Sequence, residues 1–256
     1  MNFIDSIKEK ARNNNKTIIL PESMDKRVLS AASIAHEEQL AEIILIGKED
    51  EVLELAKEDN INLEGITIIN PFSNELTDEL INDFYELRKA KGMTPEQAKE
   101  TILGDYMYYA CMLVHKGLAD GIVSGACHST ANTMRPALQI IKTAPDAKLV
   151  STFFLMVVPN CEYGANGTFI FADAGLEQNP DSNKLAAIAA SSAESFEYLV
   201  NEEPKVAFLS HSTMGSAKSE YIDNFKEVNE RQAKRTKDKY STIPPFVNAL
   251  TKIDTE

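Results

Sequence analysis

The sequence predicts an α/β protein: a three-layer αβα domain on a mostly parallel sheet, followed by a second α/β domain that is incomplete. Three observations carry that prediction. Short β-rich runs alternate with helical patterns through the first half, the rhythm of βαβ units, whose parallel strands need helical crossovers. The composition, 43% hydrophobic and 25% charged over 256 residues, supplies apolar side chains enough for a substantial core. Residues 121–143 (GIVSGACHSTANTMRPALQIIKT) run from a buried strand through small residues and hydroxyls to an arginine and an amphipathic helix. That order is how an open α/β sheet builds a site for a phosphate-bearing molecule.

Residues 17–20 (TIIL) read as a short buried strand, followed at Pro21 by a turn and then by a helix over 25–37. A second strand over 43–46 is closed by Gly47 and leads into an acidic helix over 50–59. A third strand over 66–69 ends at the turn signal Asn70-Pro71. Helices then crowd together: one over 74–90, one capped by Thr94 with Pro95 at its first position, and one over 105–116. Residues 121–123 return to the sheet, and 133–142 form the next helix, with Arg135 at its head and Pro136 in its first turn.

After Pro145 the character changes. Strands over 149–158 and 168–172 are joined by a turn-rich link at 160–166, and a long helix over 181–199 leads to a strand over 206–209. The expected boundary lies at 144–148, giving domains 1–145 and 146–218 and a divergent tail over 219–256. Within that tail, residues 231–239 are basic and nearly free of apolar side chains, as expected of an exposed appendix.

The net charge of −13 argues against nonspecific nucleic-acid binding and against anionic membrane surfaces. Phosphates can still be held by local arginines and helix ends. Cys111, Cys127 and Cys161 have no metal-ligand spacing and read as reduced cytosolic thiols, so no metal site is expected. The opening residues lack an apolar signal core, and no apolar run approaches the ~18 residues of a membrane span. A soluble, cytoplasmic protein is expected.

Arg135 is the leading candidate for chemistry. Ser124, Gly125 and Ala126 lie at the carboxyl end of a strand, where ligands of open sheets bind, and Ser129, Thr130 and Thr133 add hydroxyls beyond it. An arginine there offers a planar fork of donors to a phosphate; the alternative is a surface arginine paired with a nearby acid. Arg88, with Lys89 and Lys91 ahead of Gly92, either complements a helix C-terminus or reaches a distant phosphate of a long ligand. Residues 209–218 (LSHSTMGSAK) hold Ser212 and Ser216 and form either an anion-binding loop or an ordinary turn capped by Ser216.

The remaining polar groups are weaker candidates. His128 and His211 have no carboxylate partner at a fixed spacing and read as polar loop residues, although either can act as acid or base. Cys127 reads as a small core hydrophobe rather than a nucleophile. Asp173 follows a strand and either faces a cleft or caps a turn; His36 and His115 sit on helical patterns, and Tyr106, Tyr108 and Tyr109 read as core. Neither Gly-x-Gly-x-x-Gly nor Gly-Lys-Ser/Thr marks a nucleotide loop.

Taken together, several strings resemble phosphate acetyltransferase (phosphotransacetylase) of the short, single-function bacterial type, from the start of the chain to about Lys218. They are Leu20-Pro21-Glu22 with Asp25 and Arg27, RKAKGMT from Arg88, DGIVSGA from Asp120, RPALQIIKT from Arg135, Phe171-Ala172-Asp173, and STMGSAK from Ser212. Phosphate butyryltransferases match these strings less well. The resemblance implies two α/β domains with a cleft between them, a homodimer, and reversible acetyl transfer between acetyl phosphate and coenzyme A. Coenzyme A is then a substrate rather than a bound cofactor.

The resemblance maps the family's arginines for coenzyme A and the phosphoryl group onto Arg88 and Arg135. It also implies an aspartate base and a Ser-Arg pair in a C-terminal segment that residues 219–256 do not match, so no catalytic base is assigned. The expectation is a truncated or frame-shifted tail with impaired acetyl transfer. The rival readings are a noncatalytic binder of coenzyme A or acyl phosphate, and a butyryltransferase-like enzyme.

Overall fold

Two apolar runs, Thr17–Leu20 (β1) and Glu42–Ile46 (β2), pair in parallel, with Thr17 opposite Glu42 and Leu20 opposite Leu45. The computed structural model describes residues 3–145, 147 and 149–209. Beyond β2 lies Thr67–Ile69 (β3), and on the other side of β1 lies Gly121–Ile122 (β4), so the parallel sheet has the order β3-β2-β1-β4.

Side chains alternate across this sheet as the two-residue period of a strand requires. Ile43 and Leu45 pack with Leu29 and Ala32 of Lys26–Glu37 (α2) and with Val52 and Ala56 of Glu49–Glu58 (α3). Ile44 and Ile46 belong to the opposite layer. Its other members come from Thr77–Arg88 (α4), Pro95–Gly104 (α5), Tyr106–His115 (α6) and Thr130–Ile140 (α7). Helices therefore cover both faces, the three-layer arrangement the sequence predicts. The leading helix, Phe3–Arg12 (α1), is held by Lys8 and Arg12 to the Glu38 carboxylate.

The caps explain where the helices begin. Asp25, Asp105 and Ser129 each accept a backbone N–H from the first turn of α2, α6 and α7, and Thr94 with Gln97 forms a capping box ahead of Pro95. Two expectations are corrected. Helix α4 begins at Thr77 rather than at 74, because the Asn74 side chain takes the Leu76 N–H and makes a local turn. Helix α7 begins at Thr130 rather than at 133, because Ser129 is its cap. Pro136 is consequently inside the helix and Arg135 is past its first turn. The proline ring leaves the Asn132 carbonyl without its usual helical donor.

The chain divides into two units, breaking after Lys142. In the second unit Phe153–Val157 (β5) and Thr168–Ala172 (β6) form an antiparallel pair, with Ser182–Val200 (α8) against β6. Asp181 caps α8, and Asn201 closes it with φ 61°. The strand expected over 206–209 does not form among the described residues; Val206 alone makes a bridge, and no described neighbour extends the pairing. Among the described residues no helix is long and apolar enough to cross a membrane.

Candidate functional site

Strand order places the site. From β1 the chain steps outward to β2 and β3, and then returns to set β4 on the opposite side of β1. The crevice outside the carboxyl ends of β1 and β4 is a topological switch point, where open α/β sheets bind ligands. Glu22 leaves the end of β1 and residues 124–129 leave the end of β4, so both enter this crevice. Asp120 stands at the opposite end of β4, where its carboxylate takes the Thr17 N–H and the Lys16 ammonium and pins β4 to β1. Its part in the quoted strings is architectural.

The loop after β4 is closed around an internal carboxylate. Glu22 Oε2 accepts the N–H groups of Gly125 and Ala126, both at 2.9 Å. Glu22 Oε1 accepts those of Cys127 at 2.8 Å and His128 at 2.7 Å, and lies 2.7 Å from His128 Nδ1. The Glu22 side chain is 1% exposed. Burial alone would push its pKa up; the Cys127 N–H, the His128 ring and the Ala126 and His128 N–H groups outweigh it and hold it at about 2. The backbone donors expected to meet a ligand phosphate at Gly125 are thus already taken by the protein.

Two further contacts brace the loop. Arg27 donates to the Ala126 carbonyl at 3.0 Å while pairing with Asp25, and Cys127 Sγ donates to Asp25 at 3.4 Å. On the other side His128 Nε2 lies 3.6 Å from Asp105, the cap of α6. His128 therefore has two carboxylate neighbours, although the sequence offers it none at a fixed spacing. Both come from elsewhere in the chain, so no local spacing announces them. Cys127 is exposed rather than a core hydrophobe, and local desolvation with the Asp25 carboxylate pushes its thiol pKa up, against a nucleophilic role.

Among the described residues four buried side-chain atoms have no hydrogen-bond partner: Ser124 Oγ at the start of this loop, Thr133 Oγ1 on α7, Arg88 Nε at the end of α4, and Ser192 Oγ on α8 of the second unit. Buried polar atoms are nearly always paired, so each is suited to a ligand. Arg88 ends α4, but its Nε does not complement a helix carbonyl, which weighs against the purely local reading. Burial pushes the Tyr108 phenol up, against the pull of Arg135 and Arg88, which both act on it. Those arginines, far apart in sequence, thus lie within electrostatic range of one phenol on α6. Tyr108 donates to Gln139 of α7 at 3.2 Å. Thr130 opens α7 and is exposed.

Asp173 is in the second unit and has a turn role. Its carboxylate takes the N–H groups of Thr152, Gly175 and Leu176 and the Thr152 hydroxyl. Desolvation opposes ionisation there, and the backbone bonds outweigh it, holding the pKa below the usual carboxylate range. Ser212, Ser216 and His211 lie outside the described residues. No cluster of three or more His, Cys, Asp or Glu able to hold a metal occurs among the described residues.

Glu22 supplies a pH prediction. Its depressed pKa means a stabilising contribution fully present above pH 4.5 and lost as pH falls towards 2. The contribution is about 3 kcal/mol by order of magnitude. Urea unfolding of wild type and Glu22→Gln should show a wide stability gap at neutral pH and a narrower one at about pH 3. An unchanged gap would show that the carboxylate charge is not what the loop holds.

Comparison with known proteins follows the same lines. The model of the phosphate acetyl/butaryl transferase family matches residues 2–241. A phosphate acetyltransferase of Acetivibrio thermocellus is 55% identical over 223 residues, covering 87% of this chain and 66% of that protein. One of Clostridium acetobutylicum is 47% identical over 230 residues, covering 90% of this chain and 69% of its own length. The chain thus spans roughly two thirds of the curated relatives it matches. The crystal structure of a phosphotransacetylase from Streptococcus pyogenes superposes with a TM-score of 0.83 at 37% identity, covering 95% of this chain and 71% of that one. The chain belongs to the phosphate acetyl/butaryl transferase family.

Proposed function

We propose that this member of the family serves reversible acetyl transfer between acetyl phosphate and coenzyme A. The observation that carries the reading is the pair of buried, unpaired hydroxyls, Ser124 Oγ and Thr133 Oγ1, on the loop and helix that leave β4 at the switch point, with Arg135 exposed on the same helix. An anion entering there meets side-chain donors, because Glu22 occupies the loop's backbone donors. In the direction of acetyl-coenzyme A formation, the thiolate of coenzyme A attacks the acetyl carbonyl and inorganic phosphate leaves with the electron pair of the broken bond. A thiol of pKa about 8.5 needs help to ionise near neutrality, and cationic side chains supply part of it. Arginine and hydroxyl donors stabilise the charge that builds on the transferring group and on the departing phosphate.

In this reading Arg135, Ser124 and Thr130 belong to the phosphoryl end, Arg88 to a phosphate of coenzyme A, and Ser212 and Ser216 to a further loop of donors. Gly125 contributes its backbone conformation, with φ 118°, and its engaged N–H rather than a ligand contact. The reading includes a cytoplasmic homodimer.

The deciding experiment pairs an acetyl-transfer assay with calorimetric titration of coenzyme A and acetyl phosphate into the whole chain. Saturable binding of both ligands is expected, with transfer favouring acetyl over butyryl phosphate. Absence of both binding and transfer would sink the proposal.

A further inference from the structure

Consecutive backbone N–H groups turned to one side form a cavity for an anion, and phosphate-binding loops use such cavities for their ligands. In this protein the cavity of residues 125–128 holds the Glu22 carboxylate instead. A charge buried to 1% exposure is costly unless it is fully partnered. Here two oxygens receive N–H groups from four successive residues and meet the His128 ring. The loop so held begins at Ser124, whose hydroxyl is buried and unpaired, and ends at Ser129, the cap of α7. Its conformation therefore sets where α7 starts and where Thr133 and Arg135 emerge.

We propose that Glu22 is a positioning residue: a built-in anion that takes the place of a ligand phosphate in the backbone nest and so holds Ser124, Thr133 and Arg135 ready for the ligand. Four facing groups share in this. Asp25 and Arg27 brace the loop from α2, His128 joins it to Glu22, and Asp105 faces His128 from α6. The ligand half of the inference rests on the proposed acetyl-transfer reading; the anion half stands on the loop geometry alone.

The test is replacement of the missing anion. The whole chain carrying Glu22→Ala keeps the donors but loses the carboxylate, leaving a space that formate can enter. Formate should raise the thermal midpoint of Glu22→Ala saturably while leaving wild type unmoved, and formamide, neutral and of similar size, should raise neither midpoint. Affinity of Glu22→Ala for acetyl phosphate should fall about tenfold or more and recover with formate over the same concentration range.

Glu22→Gln keeps the volume and sets an amide against N–H donors. It should lose affinity comparably and gain nothing from formate, and it decides the matter if Glu22→Ala does not fold even with formate present. Equal effects of formate and formamide on Glu22→Ala, or wild-type stability and affinity in Glu22→Gln, overturn the proposal. If wild type binds neither acetyl phosphate nor coenzyme A, the functional reading fails while the response of the melt to formate still decides the role of Glu22.

Discussion

Arg135→Ala is expected to weaken acetyl phosphate binding by about 10- to 100-fold, the loss of a charge-assisted pair of hydrogen bonds worth about 1.5–3 kcal/mol. Arg135 is exposed on α7, the helix that also carries the buried and unpaired Thr133 hydroxyl, and lies within electrostatic reach of Tyr108. Because it is exposed, its removal should leave the thermal midpoint nearly unchanged, so the loss reads as binding rather than folding. Arg135→Lys retains the charge but not the planar fork, and should fall between wild type and alanine. Calorimetric titration with the three proteins measures the series. Wild-type affinity in Arg135→Ala would remove this residue from the site.

The largest stability effect is expected at Phe84. This residue of α4 is 0% exposed and meets the Tyr108 ring edge-on, with centroids 5.5 Å apart and an interplanar angle of 68°. Phe84→Ala should destabilise the first unit by about 3–5 kcal/mol, the combined loss of apolar transfer and of contacts around the cavity left behind. The edge-to-face pair accounts for about 0.5–1.5 kcal/mol beyond area burial. Urea unfolding reads the change directly. Tyr108 loses its packing partner in this variant, so a smaller loss of ligand affinity should accompany the loss of stability. A cost below about 1 kcal/mol would mean that the layer collapses onto the gap.

Much of the first unit is legible along the chain, because its signals are local. The runs that become β1 and β2 are short, apolar and bounded by Pro21 and Gly47, and Thr94-Pro95 announces a helix whose capping box forms as expected. The helix after β4 is misplaced because Pro136 invites a first-turn reading, whereas Ser129, a stronger local cap, starts the helix earlier. In the second unit a run of apolar residues over 206–209 satisfies strand propensity, yet among the described residues only Val206 is paired.

The site is legible in outline only. The small residues and hydroxyls after β4 point to an anion, and the loop does enclose one, but that anion is Glu22. The hydrogen bonds that make the enclosure join residues 103 to 106 positions apart, and neither a spacing rule nor a periodicity links such partners. The one available signal is the acidic residue two positions after β1, at the switch point that the βαβ rhythm implies. Likewise, the partners of His128 are invisible until β1 and α6 are folded beside it.

Placing β4 against β1, after β2 and β3 have been laid on the other side, also orders assembly in time. Each doubling of a closed loop adds about 0.6 kcal/mol of chain entropy, so closing the span from Glu22 to His128 is about 1.2 kcal/mol harder than bringing β2 to β1. Contacts between near neighbours in sequence form readily, and those across a hundred residues come late. The clasp on Glu22 is thus expected among the last contacts a folding chain acquires, and pulse-labelled exchange of the Gly125 to His128 N–H groups, if protected as early as those of β1 and β2, would overturn that order. Until that late step β1, β2 and β3 can pair without a receptive crevice, so competence to bind should arrive together with completion of the sheet.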